Sequence, residues 1–211
     1  MKIDFVSDIA CPWCAIGLAS LESALAALPP NVEVDLHVQP FELDPSMPRE
    51  GRDLYALLQQ KYGMTPEQVQ ANQENIRQRG EAVGFEFRMD RRTRSYNTFD
   101  AHRLLHWAGL EGGQLALKQA LFKAYFTEGE NPGDPELLVR LAAEVGLDPG
   151  QARTILAGDE YSDEVREREQ FYLDAGIHSV PAVIIDDRHL ISGGQPPEVF
   201  ERALRQIAGL S

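Results

Sequence analysis

Strand-type sequence is confined to the two ends of this 211-residue chain, and the stretch between them is helical in pattern. "KIDFVS" at the start is short and β-prone, with Ile3, Phe5 and Val6 among its apolar positions. "VEVDLHVQPF" alternates, placing Val32, Val34, Leu36 and Val38 on one face. Between the two, "AIGLASLESALAAL" spaces Ile16, Leu18, Leu21, Leu25 and Leu28 for a helix that Pro29 and Pro30 stop. Near the other end, "SVPAVIID" and "HLI" read as a β-hairpin across "DR". "EVFERALRQIAG" then closes the chain as an amphipathic helix through Val199, Phe200, Leu204 and Ile207. The expected class is α/β, with one sheet drawn from both ends and a helical insertion between them.

The middle carries almost nothing but helix signals. "TPEQ" from Thr65 to Gln68 is a capping-box pattern with proline at the first helical position. "NTFDAHRLLHWAG" fits a helix starting on Asn97 and stopping at Gly109, and a further helix uses Leu115, Leu121, Phe122, Tyr125 and Phe126. "DPELLVRLAAEVG" and "DPGQARTILAG" share an Asp-Pro start and a Gly stop, and "SDEVREREQFYLDAG" is expected to be capped by Ser162. The expected division assigns residues 1–45 and 176–211 to the sheet-containing domain and 46–175 to the helical insertion.

Hydrophobic residues form 43% of the chain, enough for a buried core, and the net charge is −13. That charge speaks against nucleic acid as a partner, because phosphate binding needs a basic surface. Arg88, Arg91, Arg92 and Arg94 cluster locally and read as a solvated loop. The N-terminus lacks a basic segment followed by a long apolar one, and no window approaches about 18 uninterrupted apolar residues. No membrane association and a cytoplasmic location are therefore expected.

The only two cysteines, Cys11 and Cys14, flank Pro12 and Trp13 in "DIACPWCAIG", at the first strand-to-helix junction. A tetrahedral zinc site needs four ligands, and there is no second Cys pair. His102 and His106 are four apart on one helix, yet "HRLLH" lacks the glutamate of a zinc protease, so no metal is expected. A structural disulfide would close a very small loop, and cross-link stabilisation grows with loop length. A redox pair fits the position best. Exposed N–H groups at a helix N-terminus favour a thiolate, and Pro12 loses nothing there by lacking an N–H. Cys11, at the outer end, is the expected nucleophile; Cys14, one turn further in, is the expected resolving thiol. Trp13 and Pro12 face outward as a contact surface for substrate. His178 stands three residues before Pro181; as an imidazolium near Cys11 it would favour the thiolate, and otherwise it is an exposed loop histidine.

"SDIACPWC", "NTFDAHRLLHWAG", "SVPAVIID" and "ISGGQPPEVF" resemble the DsbA-like branch of the thioredoxin superfamily, most closely its FrnE-type members. The resemblance covers essentially the whole chain and implies a thioredoxin fold split by a large helical insertion. It implies that Val180–Pro181 is a cis bond beside the cysteines, with the backbone of Val180 pairing to an extended peptide or glutathione. It also matches Asp4 to a buried acid beneath the resolving cysteine, which would relay the Cys14 proton; a strand carboxylate without a role is the alternative. Asp8, nearer in sequence, would raise the Cys11 pKa, and is expected to serve the turn.

Three functions compete. The first is a thiol–disulfide oxidoreductase acting on protein or small-molecule disulfides or thiols, with no tightly bound cofactor and glutathione as a co-substrate. The second is a glutathione-dependent isomerase or transferase, similar to 2-hydroxychromene-2-carboxylate isomerases and kappa-class glutathione transferases. Those relatives use a serine where this chain has Cys11, so two retained thiols favour the first. The third is a non-catalytic interaction module.

Overall fold

The structure, a computed structural model, describes residues 1–210. Along the chain run β1 (Lys2–Ser7), α1 (Pro12–Ala26), β2 (Asp35–Pro40), β3 (Arg52–Asp53), α2 (Leu54–Tyr62), α3 (Pro66–Ala82), β4 (Arg94–Ser95) and α4 (Phe99–Leu110). There follow α5 (Gln114–Lys123), a π-helical turn (Ala124–Glu128), α6 (Pro135–Glu144), α7 (Pro149–Ala157) and α8 (Ser162–Asp174). β5 (Ala182–Ile185), β6 (His189–Ser192) and α9 (Pro197–Ile207) complete it.

Both ends of the chain do enter one sheet, in the order β2–β1–β5–β6. β1 lies inside it, parallel to β2 with Phe5 opposite Val38, and antiparallel to β5 with Phe5 opposite Val183. Five of its six residues are buried, as a strand covered on both faces requires. Because side chains alternate, Ile3 and Phe5 pack with Leu18 and Leu21 of α1 and Phe200 and Leu204 of α9. Val6 points the other way, onto Tyr172 and Ile177 at the end of α8. A second apolar core lies among α4, α5, α6 and α7, built on residues such as Leu104, Trp107, Leu121 and Leu138. Ile9, from the turn after β1, is buried in that second core and so joins the two.

Local signals explain several helix starts. Thr65 Oγ1 accepts the Gln68 N–H while Gln68 Oε1 accepts the Thr65 N–H, the complete capping box. Asp134 and Asp148 cap α6 and α7 through their side chains, each with proline next in line.

Other expectations need correction. The middle is not purely helical: β3 and β4 pair antiparallel, Arg52 opposite Ser95, and α5 runs into a π-helical turn. Two-residue strands leave no period-2 signal to read. β2 begins at Asp35, without Val32 and Val34. α4 starts after Thr98, the Asn97 side chain being engaged by the Phe99 N–H and the Met47 carbonyl, and it runs one residue past Gly109. Ser162 is the first helical residue of α8 and not its cap; Tyr161 holds that place in the left-handed region, at φ 63°. The arginine cluster is not uniformly solvated, since Arg92 is buried with its guanidinium over the rings of Tyr125 and Phe126.

Two glycines allow the cysteine-bearing turn to be covered. A Cβ on Gly194 would stand 2.8 Å from the Trp13 carbonyl oxygen, and one on Gly17 would stand 3.0 Å from Pro181 Cγ. The first contact is with backbone, which cannot swing away. Gly194→Ala is therefore expected to lower unfolding free energy by about 1–3 kcal/mol, the usual range for overpacking. Urea unfolding checks this, and an unchanged midpoint with unchanged slope contradicts it.

Candidate active site

β1 ends at Ser7, and Asp8 turns the chain so that Cys11 becomes the N-cap of α1, with Pro12 as its first residue. The Cys11 N–H donates to the Asp8 carbonyl at 3.3 Å, and the Cys11 carbonyl accepts from Cys14 at 3.1 Å. The Cys11 side chain makes no capping bond, which leaves its sulfur available. Its thiol lies 3.7 Å from the Val180 carbonyl oxygen as a donor, immediately before the cis Val180–Pro181 bond. Both cysteines are free thiols, Cys11 only 4% exposed and Cys14 not at all.

The two thiols are electrostatically unequal. A hydrogen bond from the Cys14 thiol pulls Cys11 down; burial opposes it, the Cys14 and Trp13 N–H groups assist it, and the Asp8 carboxylate opposes it. Burial pushes Cys14 well up, and the neighbouring Cys11 pushes it further. The site thus holds a thiolate-prone sulfur in front of a proton-retaining one.

Asp8 does more than make the turn. Its carboxylate accepts the Ala10 N–H at 3.3 Å, the Leu43 N–H at 2.8 Å and the Thr98 hydroxyl at 2.8 Å, and His102 Nε2 lies 3.4 Å away. Burial alone would raise this carboxyl, but His102, Leu43 and Thr98 together hold it below the usual value. Asp4, matched above to a relay beneath Cys14, is on the wrong side of the sheet. It alternates with Ile3 and Phe5, which share the cysteines' core, and it binds Gln39 Nε2 at 2.6 Å and Lys2 Nζ at 2.9 Å. Burial, and then the Asp4 carboxylate, push up the phenol of Tyr172 on that opposite face.

A cavity of about 660 Å³ opens over Cys11. Pro12, Trp13, His178 and Val180 line it, so the structure brings these four together around the outer sulfur. His178 is exposed there. Cys14 and Pro181 lie behind, outside the lining. The far wall comes from α2 and α3 through Leu54, Leu57, Leu58 and Ile76, which the sequence reading did not assign to the site. Arg92 was also missed; its Nη2 donates to the Ala10 carbonyl at 3.1 Å and steadies the turn from the helical side. Lys118 is the third omission, fully buried near the cysteines. Burial lowers its ammonium to about 8, against the opposing pull of Cys14, Asp8 and Cys11. Its signal was legible: Lys118 falls on the helical stripe Leu115, Lys118, Phe122, Tyr125, where only core residues belong. Among the described residues no group of three or more His, Cys, Asp and Glu side chains is placed to hold a metal.

A sheet assembled from both chain ends, with a free dithiol at its first strand–helix junction beside a cis proline, defines a thioredoxin-type protein. The chain belongs to the DSBA-like thioredoxin domain family, whose model matches residues 2–205. The probable DsbA oxidoreductase SCO1869 from Streptomyces coelicolor has a similar crystal structure, with TM-score 0.93 and 40% identity, covering 99% of this chain and 90% of that one. The uncharacterized protein YwbO of Bacillus subtilis (strain 168) is 30% identical over 205 residues, 97% of this chain and 96% of its own. The cytosolic disulfide reductase DsbM from Pseudomonas aeruginosa, solved with GSH, shares the fold at TM-score 0.69 and 18% identity, covering 100% of both chains. No helix among the described residues is long and apolar enough to cross a membrane.

The Asp8 geometry has two measurable consequences. A carboxyl held below its ordinary value of 3.8 stabilises the fold fully above that pH, and the contribution is lost as pH falls through the folded value. Asp8→Asn is expected to be less stable than the parent near neutral pH, with the deficit shrinking in acid. It also removes a charge that opposes the Cys11 thiolate, so the pH midpoint of iodoacetamide labelling at Cys11 falls. A midpoint that stays or rises contradicts the assigned field.

Proposed function

We propose that the protein is a thiol–disulfide oxidoreductase working through a Cys11 mixed disulfide. The observation that carries this reading is the asymmetric dithiol: Cys11, favoured as thiolate, lines the cavity, and Cys14, held as thiol, stands directly behind it. In the reducing direction the Cys11 thiolate attacks one sulfur of a substrate disulfide. A Cys11–substrate S–S bond forms, the substrate's own S–S bond breaks, and the released thiolate takes a proton from water. Cys14 then loses its proton and attacks Cys11 Sγ, forming the Cys11–Cys14 bond and expelling the second substrate thiolate. The substrate gains two electrons and the pair loses two, which glutathione or another thiol restores. The reverse sequence oxidises a substrate dithiol.

The substrate in this reading is an extended peptide or glutathione, with its backbone along Val180 and its apolar part against Leu54, Leu57 and Ile76. His178 at the cavity rim is a candidate contact for it. The "NTFDAHRLLHWA" and "SGGQP" stretches support a place among FrnE-type members. The sheet residues all fall within 1–45 or beyond 175 except the β3–β4 pair, which supports the two-part division. Both cysteines sit in the motif and none remains for structural bridges, as suits a cytoplasmic protein. Serine-dependent glutathione isomerisation finds no support in a site with sulfur at position 11.

Insulin reduction with a thiol reductant, together with oxidation of a reduced test protein, tests the reading. Cys11→Ser is expected to abolish both activities. Cys14→Ser is expected to accumulate a covalent mixed disulfide that mass spectrometry locates on Cys11. Full turnover in Cys11→Ser overturns the reading.

A further inference from the structure

Lys118 has no part in the exchange as described so far, yet it occupies a costly position. Its side chain is 0% exposed and its Nζ has no hydrogen-bond partner. An unpaired amine in a core is unfavourable, and the neighbours on its stripe, Leu115 and Phe122, are apolar. α5 is held so that this residue faces the cysteine-bearing core. Gln114 Oε1 accepts the Val38 N–H of β2 at 2.8 Å, and Gln119 donates to Glu22 on α1. Lys118 Nζ lies 4.8 Å from the centroid of the Phe122 ring, and Phe122 packs in the same cluster as Cys11 and Cys14.

The charged and titratable groups around it are few. α1 presents Cys11 and Cys14, the β1–α1 turn presents Asp8, and α4 presents His102 through its contact with Asp8. Arg92 lies beyond the rings of Tyr125 and Phe126, with its guanidinium turned to Ala10. The buried residues of α6, which packs on α5, are all apolar. Cys14 exerts the largest charge effect on Lys118, and Lys118 is in turn the strongest influence lowering Cys14 against burial and Cys11.

We propose that Lys118 is the positioning residue of the resolving thiol, a buried charge partner that holds Cys14 as a thiolate while it attacks the Cys11 mixed disulfide. This rests on the dithiol exchange proposed above. Once Cys11 is joined to substrate it no longer pushes Cys14 up, and Cys14 gives its proton to solvent while the Lys118 ammonium beside it favours the thiolate. The Cys14 thiolate forms the bond to Cys11 Sγ, the bond from Cys11 to substrate breaks, and the departing thiolate is protonated by water. Once both sulfurs are joined, Lys118 has no thiolate to face, and its ammonium gives up its proton more readily.

Stopped-flow mixing of the reduced protein with dithiobis(nitrobenzoate) separates the two steps. The first thionitrobenzoate released reports attack by Cys11, and a second, concentration-independent release reports resolution by Cys14. In Lys118→Met, close in volume and uncharged, the first phase is expected to stay near that of the parent. The second is expected to slow about tenfold or more near neutral pH, because each unit of thiol pKa changes the thiolate fraction about tenfold. Its pH profile moves to higher pH as well, which a packing defect alone does not produce. A folded Lys118→Met with the parent's second-phase rate and pH profile overturns the proposal. Persistence of the second phase in Cys14→Ser would instead overturn the underlying dithiol reading. Should Lys118→Met not fold, nitrogen NMR titration of the parent decides. Lys118 must titrate at higher pH in the dithiol form than in the disulfide form, and equal midpoints overturn the proposal.

Discussion

The carboxylate of Asp8 is the point at which the sheet, the cysteine turn and the helical block are joined. It is buried, and an isolated buried carboxylate would cost several kcal/mol. Hydrogen bonds to an ionised group contribute about 1.5–3 kcal/mol each, so the bonds from Leu43, Thr98 and Ala10 are of the size needed to offset that cost. Leu43 follows β2, Thr98 caps α4 and Ala10 belongs to the turn itself. One side chain therefore fixes three segments that are distant in sequence. Ile9 reinforces the joint by entering the core of α4 to α7.

This joint places a negative charge near a sulfur that its other neighbours favour as a thiolate. The arrangement works because the opposing effects are local and directional. The Cys14 thiol and the N–H groups of Trp13 and Cys14 point at Cys11, whereas the Asp8 charge is absorbed by its own donors. Behind them Lys118 supplies a buried amine that feels both Asp8 and Cys14. A carboxylate, two thiols and an amine thus share one desolvated region in which each group's charge depends on the others.

What was legible in the sequence is what depends on neighbours along the chain. The β-prone run of β1, the alternation running into β2, the Thr65–Gln68 box and the Asp-Pro starts of α6 and α7 are local patterns with local causes. The cysteine pair, Pro12 and Trp13 were legible because they are neighbours along the chain at a strand–helix junction, whereas Val180 came only through the resemblance to DsbA-like proteins. The misses concern which way a side chain faces. The resemblance matched Asp4 to Cys14, with a strand carboxylate without a role as the alternative, although Ile3 and Phe5, its neighbours, already occupy that face; a one-residue step in a strand changes sides. Which helices cover which face is a tertiary fact, so the pleat alone did not decide it. Arg92 failed for the complementary reason, and so did Lys118, whose visible place on a core stripe was overruled by its charge. Charge predicts solvent, and only the rings of Tyr125, Phe126 and Phe122 make the interior hospitable to these stems.

The helical block also decides what can meet Cys11. Cys11 is only 4% exposed as a residue, and what exposure it has opens onto the cavity that the helical block covers. In the exchange proposed above the entering sulfur stands in line with the bond that breaks, so a substrate would have to project into the cavity between Trp13, Val180 and the wall from α2 and α3. That wall is apolar where it faces the turn, through Leu54, Leu57, Leu58 and Ile76, so under the proposed exchange it would favour substrates whose disulfide is flanked by apolar groups. The sheet and α1 set the chemistry that the two sulfurs can perform. The insertion walls the cavity over Cys11 through α2 and α3 and sends Lys118 from α5 into the core beside Cys14, so it borders both sulfurs.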